Sequence, residues 1–125
     1  MRKEKERQWH RIRSISAAAS MAPEMPGVYA YGKITRHVLG LPVGLRSWVY
    51  IGKSKNLAAR FRSHKAARES QPELREWVVR NRREAEVWYA VADEEEITEL
   101  EKHLIRSLKP RLNKVRYQGG STGDK

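Results

Sequence analysis

Cysteine is absent from the 125 residues, so disulfides and thiolate-bound metals are excluded. No apolar run approaches the ~20 residues of a membrane span, and the N-terminus lacks the apolar core of a signal peptide. A cytoplasmic protein without a membrane partner is the expectation, nucleoid-associated if bacterial. One stretch lacks positive charge: residues 84–101 hold eight acidic residues and no Lys or Arg. Elsewhere cations dominate. Residues 1–13 hold six basic residues against two acidic, and residues 53–83 hold ten against three. The total is 26 Lys and Arg against 15 Asp and Glu, a formal charge of +11 with pI near 10.3. For one domain of this size, that surplus points to a polyanionic partner, and nucleic acid is preferred over a membrane surface.

The pattern predicts a basic helix over residues 2–20, with Trp9, Ile12 and Ile15 as a thin apolar edge. MAPEMPG then breaks the chain. VYAYG and SWVYIG read as two strands of a hairpin, and EVWYAVA as a third. Asn56 or Ser54 could cap a helix running to about Arg68, and Pro72 opens another through ELREWVVRNRR. A last helix follows the acidic run and stops before Pro110. The expectation is an α+β fold, a three-stranded antiparallel sheet flanked by helices. Its divisions are a basic helix at 1–22, a catalytic-type domain at 23–113 and a flexible tail at 114–125.

In the last helix, Ile97, Leu100, Leu104, Ile105 and Leu108 form an apolar stripe, and Glu101 falls inside it. A carboxylate on a buried side costs desolvation unless it is paired or holds a metal. It could pair with Lys102 or Arg106, or bind a cation. In the hairpin, alternation puts Tyr29 and Tyr31 on one face, and Trp48, Tyr50 and Gly52 on one face. The expected register sets Tyr29 opposite Tyr50 and Tyr31 opposite Trp48, with Tyr31 as core packing. Arg60 and His64 share one edge of the next helix. GKS at 52–54 is not a P-loop, because the glycine required five residues before Gly52 is Ser47.

Three segments, PGVY (26–29), YIGKSKNLAARFRSH (50–64) and ELEKHLIRSLKPRLN (99–113), resemble the GIY-YIG nuclease family in this order. That family includes the N-terminal nuclease domain of an excision-repair enzyme and intron homing endonucleases. The resemblance implies a DNA endonuclease that leaves a 5′-phosphate and a 3′-hydroxyl. By position it assigns catalytic roles to Tyr29, Tyr50, Lys53, Arg60, His64, Glu101 and Asn113. Glu101 would hold Mg²⁺ (or Mn²⁺), Arg60 would offset phosphoryl charge, and Tyr50 would be the base, with Lys53 and the metal favouring its phenolate. Whether Tyr29 or His64 positions groups or relays protons stays open, and Asn113 is either a site residue or a turn residue. Twenty residues separate Tyr29 from Tyr50, where about half is usual in the family, so 32–47 reads as an expanded loop.

Nucleic-acid contacts are expected from Arg62, Lys65, Arg68, Arg11, Arg13, Lys109 and Arg111. Substrate choice would come from weak intrinsic preference or from a targeting partner protein. Deleting residues 2–13 is expected to weaken DNA binding and its salt dependence while sparing turnover. The competing reading is a basic nucleic-acid-binding module whose nuclease site is degenerate or unused.

Overall fold

The computed structural model describes residues 7–34, 37–44 and 46–113. The expected tail at 114–125 and the first six residues of the expected N-terminal helix lie outside these. In chain order the elements are β1 (His10–Ile12), α1 (Ile15–Met21), β2 (Gly27–Ile34), β3 (His37–Val38) and β4 (Leu41–Pro42). They continue with β5 (Arg46–Ser54), α2 (Leu57–Lys65), α3 (Pro72–Asn81), β6 (Glu86–Val91) and α4 (Glu94–Leu108). The main sheet is antiparallel with strand order β1-β6-β2-β5, and β3 and β4 form a separate two-stranded ribbon.

β2 is central, and its residues Gly27 to Gly32 are buried. On one face Tyr29, Tyr31, Val87 and Tyr89 pack with Leu57 and Phe61 of α2, Leu74 and Val78 of α3, and Ile15 of α1. On the other face Val28, Ala30, Ile51 and Ala90 lie under Ile97, Leu104 and Ile105 of α4. Gly27 is required by packing: a Cβ there would stand 2.4 Å from the Ala90 carbonyl oxygen and 2.7 Å from Leu57 Cδ1. Asn56 caps α2, its Oδ1 accepting from Ala59 N at 3.0 Å. α4 ends where Lys109 turns left-handed, φ 48°, ahead of Pro110.

The sheet has four strands where three were expected, and the fourth comes from the segment predicted as helix. Trp9 and Ile12 are three residues apart, which a helix would put on one side. The structure sends them to opposite faces of the sheet, Trp9 to the α4 side and Ile12 to the α1–α2–α3 side. That is the behaviour of a strand, and His10 to Ile12 pair with Tyr89 to Val87. Among the described residues of that segment, Ile15–Met21 is helical, capped by Ser14.

This changes the outcome expected from the N-terminal deletion. Removing residues 2–13 removes an edge strand and the buried Ile12, so the melting temperature should fall by roughly 5 °C or more. An unchanged melting temperature in thermal denaturation would show that β1 contributes nothing to the folded state.

Candidate active site

The hairpin register differs from the expected one by two residues. Tyr29 faces Gly52 and Tyr31 faces Tyr50, with a bulge between Tyr31 and Gly32 that passes Gly32 to Trp48. Gly52 therefore lies beneath the Tyr29 ring: a Cβ at 52 would stand 2.4 Å from Tyr29 Oη. The glycine of the second signature is needed to admit the tyrosine of the first. Tyr29 is fully buried, and among the described residues its hydroxyl makes no hydrogen bond of good geometry, the Tyr50 hydroxyl being the one within its reach. It neighbours Tyr50 (ring centroids 6.2 Å) and His64 (6.1 Å).

α2 starts two residues after β5 and brings Arg60 and His64 to this face. His64 is 1% exposed and sits in a hydrogen-bonded chain. Its Nδ1 is 2.6 Å from Tyr31 Oη and its Nε2 is 2.9 Å from Glu69 Oε1. Glu69 also accepts from Gln71 N at 2.9 Å. Burial pushes the Glu69 carboxyl up, but the bonds from Gln71 and His64 outweigh it, and its pKa falls below the usual value. Burial also lowers the His64 pKa, against the pull of Glu69. An ionised Glu69 can only accept, so Nε2 carries the hydrogen of a neutral imidazole, and Nδ1 accepts from the Tyr31 hydroxyl.

The groups facing His64 are Tyr29, Tyr31, Glu69 and Arg60. Because the folded-state pKa of His64 is depressed below 6.5, its contribution to stability is present above that pH. It is lost as pH falls through the folded value. Melting temperature should therefore drop on acidification below pH 6.5, and His64→Gln should flatten that limb of the curve. Identical limbs in the two proteins would show that His64 does not take up a proton there.

Burial raises the pKa of Tyr29, Tyr31 and Tyr50, and Arg60 pulls each one down. Arg60 also lowers Glu69 and Glu101, so one guanidinium acts on the whole cluster. For Tyr50, the carboxylates of Glu69 and Glu101 add to the rise. The expectation that Lys53 favours a Tyr50 phenolate is corrected here. Lys53 alternates to the other face of β5, where Nζ donates to Thr98 Oγ1 at 3.0 Å and lies 4.0 Å from Glu101 Oε1.

Glu101, with 17% of its side chain exposed, faces no pairing partner on its own helix. Burial raises its pKa, with Lys53 and Arg60 opposing. Lys102 is 3.7 Å from Glu99, and the cations that act on Glu101 are Lys53 and Arg60. Among the described residues, no group of three or more His, Cys, Asp or Glu could enclose a metal. Any cation here rests on a single carboxylate. Mg²⁺ tolerates that, because it retains most of its waters. The Tyr29 hydroxyl, without a hydrogen bond of good geometry and within electrostatic reach of Glu101, suits a hydrated cation's shell.

Asn113 is 9% exposed and grips the free edge of β5. Its Oδ1 accepts from Ile51 N at 2.9 Å and its Nδ2 donates to Ile51 O at 2.8 Å. Leu112 N donates to Val49 O at 2.8 Å. This clamp fixes the backbone between Tyr50 and Gly52, so Asn113 acts on strand geometry.

The sequence-predicted residues thus gather around β5, with two exceptions in emphasis. Lys53 joins Glu101 on the α4 side, and Asn113 works from the outer edge. Tyr31 and Glu69 were missed. The two-residue register slip hid Tyr31, and nothing in the sequence marks Glu69, which lies in the α2–α3 connection. The expected nucleic-acid contacts are dispersed. Arg62, Lys65 and Arg68 are exposed on and after α2, Lys109 and Arg111 follow α4, and Arg13 is exposed after β1. Arg11 is on β1, at the far edge of the sheet from β5, and is ion-paired with Glu86 at 3.1 Å.

The model of the UvrC-like GIY-YIG domain matches residues 25–114. The UvrABC system protein C of Aquifex aeolicus (strain VF5) is 36% identical over 99 residues, 79% of this chain. The matched part is 15% of that protein's length. Among solved structures, the magnesium-bound N-terminal endonuclease domain of UvrC from Thermotoga maritima aligns with a TM-score of 0.58 and 26% identity. It covers 79% of this chain and 94% of that one. A point mutant of the same domain bound to its catalytic divalent cation aligns at 0.57 and 26%, covering 78% and 91%.

Proposed function

The chain belongs to the UvrC-like GIY-YIG family, and from that premise we propose that it is a divalent-metal-dependent DNA endonuclease. It hydrolyses one phosphodiester bond to leave a 5′-phosphate and a 3′-hydroxyl, with Mg²⁺ or Mn²⁺ as the cation. The observation that carries this is the cluster itself. A half-buried Glu101 and Arg60 lie within electrostatic reach of the buried Tyr29 and of Tyr50, and the Tyr29 hydroxyl makes no hydrogen bond of good geometry.

Glu101 would hold the cation, with Lys53 steadying the carboxylate, and the bound cation would supply Lewis-acid stabilisation of phosphoryl charge. Arg60 offsets charge developing on the phosphoryl oxygens, where a planar guanidinium suits two oxygens at once. Tyr50 orients the attacking water as a neutral phenol, since burial and two carboxylates oppose its ionisation. Tyr31 stands opposite it on β2. The Tyr31–His64–Glu69 chain is the proton acceptor at the inner end, with burial keeping the imidazole neutral and Glu69 a positioning residue that fixes its tautomer. Asn113 keeps Tyr50 in place through the β5 backbone.

The exposed cations bind the DNA backbone without reading sequence. Supercoiled plasmid incubated with the protein should be nicked with Mg²⁺ and left intact with EDTA. Binding without nicking under either condition would favour the binding-module reading instead.

A further inference from the structure

The twenty residues between Tyr29 and Tyr50 do not form a plain loop. β2 and β5 run on to Ile34 and Arg46, and beyond them β3 and β4 make a small ribbon, His37 opposite Pro42 and Val38 opposite Leu41. At its tip, Leu39 and Gly40 both have positive φ, 50° and 87°. That is the signature of a two-residue hairpin turn in which Asn-Gly or Asp-Gly is preferred. The chain instead places leucine there, in a conformation that bulky side chains avoid. Leu39 is fully exposed, Leu41 is 65% exposed, Val38 51% and Val43 47%. Backbone strain and unburied apolar surface coincide at one tip, and a folding requirement explains neither.

Charge identifies the partner. From residue 25 to residue 68 the sequence has nine Lys and Arg and no Asp or Glu. That span includes the hairpin, β5 and α2. A second copy docking through this arm would bring like charge against like charge. A phosphate-dense partner would not. A two-stranded ribbon fits the DNA major groove, and apolar side chains inserted between base steps unstack them.

We propose that the hairpin is an apolar wedge, pressing Leu39 and Leu41 against DNA base steps beside the cleavage site. This rests on the DNA-nuclease reading and adds to it the handling of the substrate's bases. Leu39 lies eight positions beyond Tyr31, a reach of at most roughly 26 Å at about 3.3 Å per residue. At about 3.4 Å per base pair, the disturbed step lies within roughly eight base pairs of the scissile phosphate.

The test uses the full chain and a double variant, Leu39→Asn with Leu41→Thr. Asn suits the turn's positive φ and Thr suits a strand, so the melting temperature should hold. Both proteins are titrated in EDTA against duplexes carrying 2-aminopurine at successive positions up to eight pairs from the nick. The wild-type chain should raise fluorescence at one or two adjacent positions, and the variant should raise it at none. Affinity should fall about tenfold, while the slope of log affinity against log salt stays the same, because an apolar contact releases no counterions.

No wild-type fluorescence rise at any position would overturn the wedge. So would a variant whose affinity falls together with its salt slope, or a substitution that turns a dimer into a monomer by sedimentation. Plasmid nicking with Mg²⁺ is scored in parallel. A chain that unstacks bases but never nicks keeps the wedge and loses the nuclease reading. One that nicks without unstacking does the reverse.

Discussion

Glu101→Gln should abolish cleavage and leave DNA binding intact. The carboxylate is the group proposed to hold the cation, and burial already makes its ionised form costly. Glutamine keeps the shape and removes the charge. The several kcal/mol that a metal supplies to a phosphoryl transition state correspond to roughly a thousandfold in rate. Affinity comes from the cations, which the substitution does not touch. A second readout does not depend on turnover. In the wild-type chain Mg²⁺ should raise the melting temperature, because a ligand that binds only the native state stabilises it. In Glu101→Gln that rise should vanish, while the metal-free melting temperature should not fall, since a desolvated charge has been removed. Wild-type cutting by the variant, or an undiminished Mg²⁺ shift, would remove Glu101 from the metal site.

Apart from the β3–β4 ribbon, which the sequence presents as an expanded loop, the elements from Gly27 to Leu108 were legible because each carries its own local signal. Asn56 caps α2, Pro72 opens α3, and the stripe from Ile97 to Ile105 fixes the buried side of α4. Glu101 was legible for the same reason: a carboxylate in an apolar stripe contradicts its surroundings. β1 was not, because three apolar residues spaced by three satisfy a helix as well as a strand that alternates across a sheet. The register of β2 on β5 was not legible either. An inserted ribbon and a bulge at Tyr31–Gly32 separate the pairing from the turn, and alternation alone permits a slip of two. That slip moved Tyr31 from bystander to cross-strand partner of Tyr50. Glu69 is a side chain in a connection, reaching back five residues to His64, and no periodicity marks such a contact.

The corrected register changes what two phenylalanine substitutions should do. Tyr50→Phe keeps the ring's packing and removes the hydroxyl that orients water, a loss of about two to four orders of magnitude in single-turnover rate. Its denaturation midpoint should hardly move. Tyr31→Phe removes the 2.6 Å bond to His64 Nδ1. The fully buried imidazole nitrogen is left without a partner, costing on the order of 1–3 kcal/mol of stability. Tyr31→Phe should therefore lower the denaturation midpoint and the rate together. A stable, fully active Tyr31→Phe would remove the Tyr31–His64–Glu69 chain from the reaction. The wild-type pH–rate profile separates the two forms of Tyr50. A neutral phenol backed by a neutral His64 gives a rate that rises as His64 loses its proton, below the ordinary value of 6.5, and then levels off. A working phenolate, with its pKa raised above 10.0, would make the rate keep climbing through pH 9. A profile that climbs in that way would return the role of base to the Tyr50 anion.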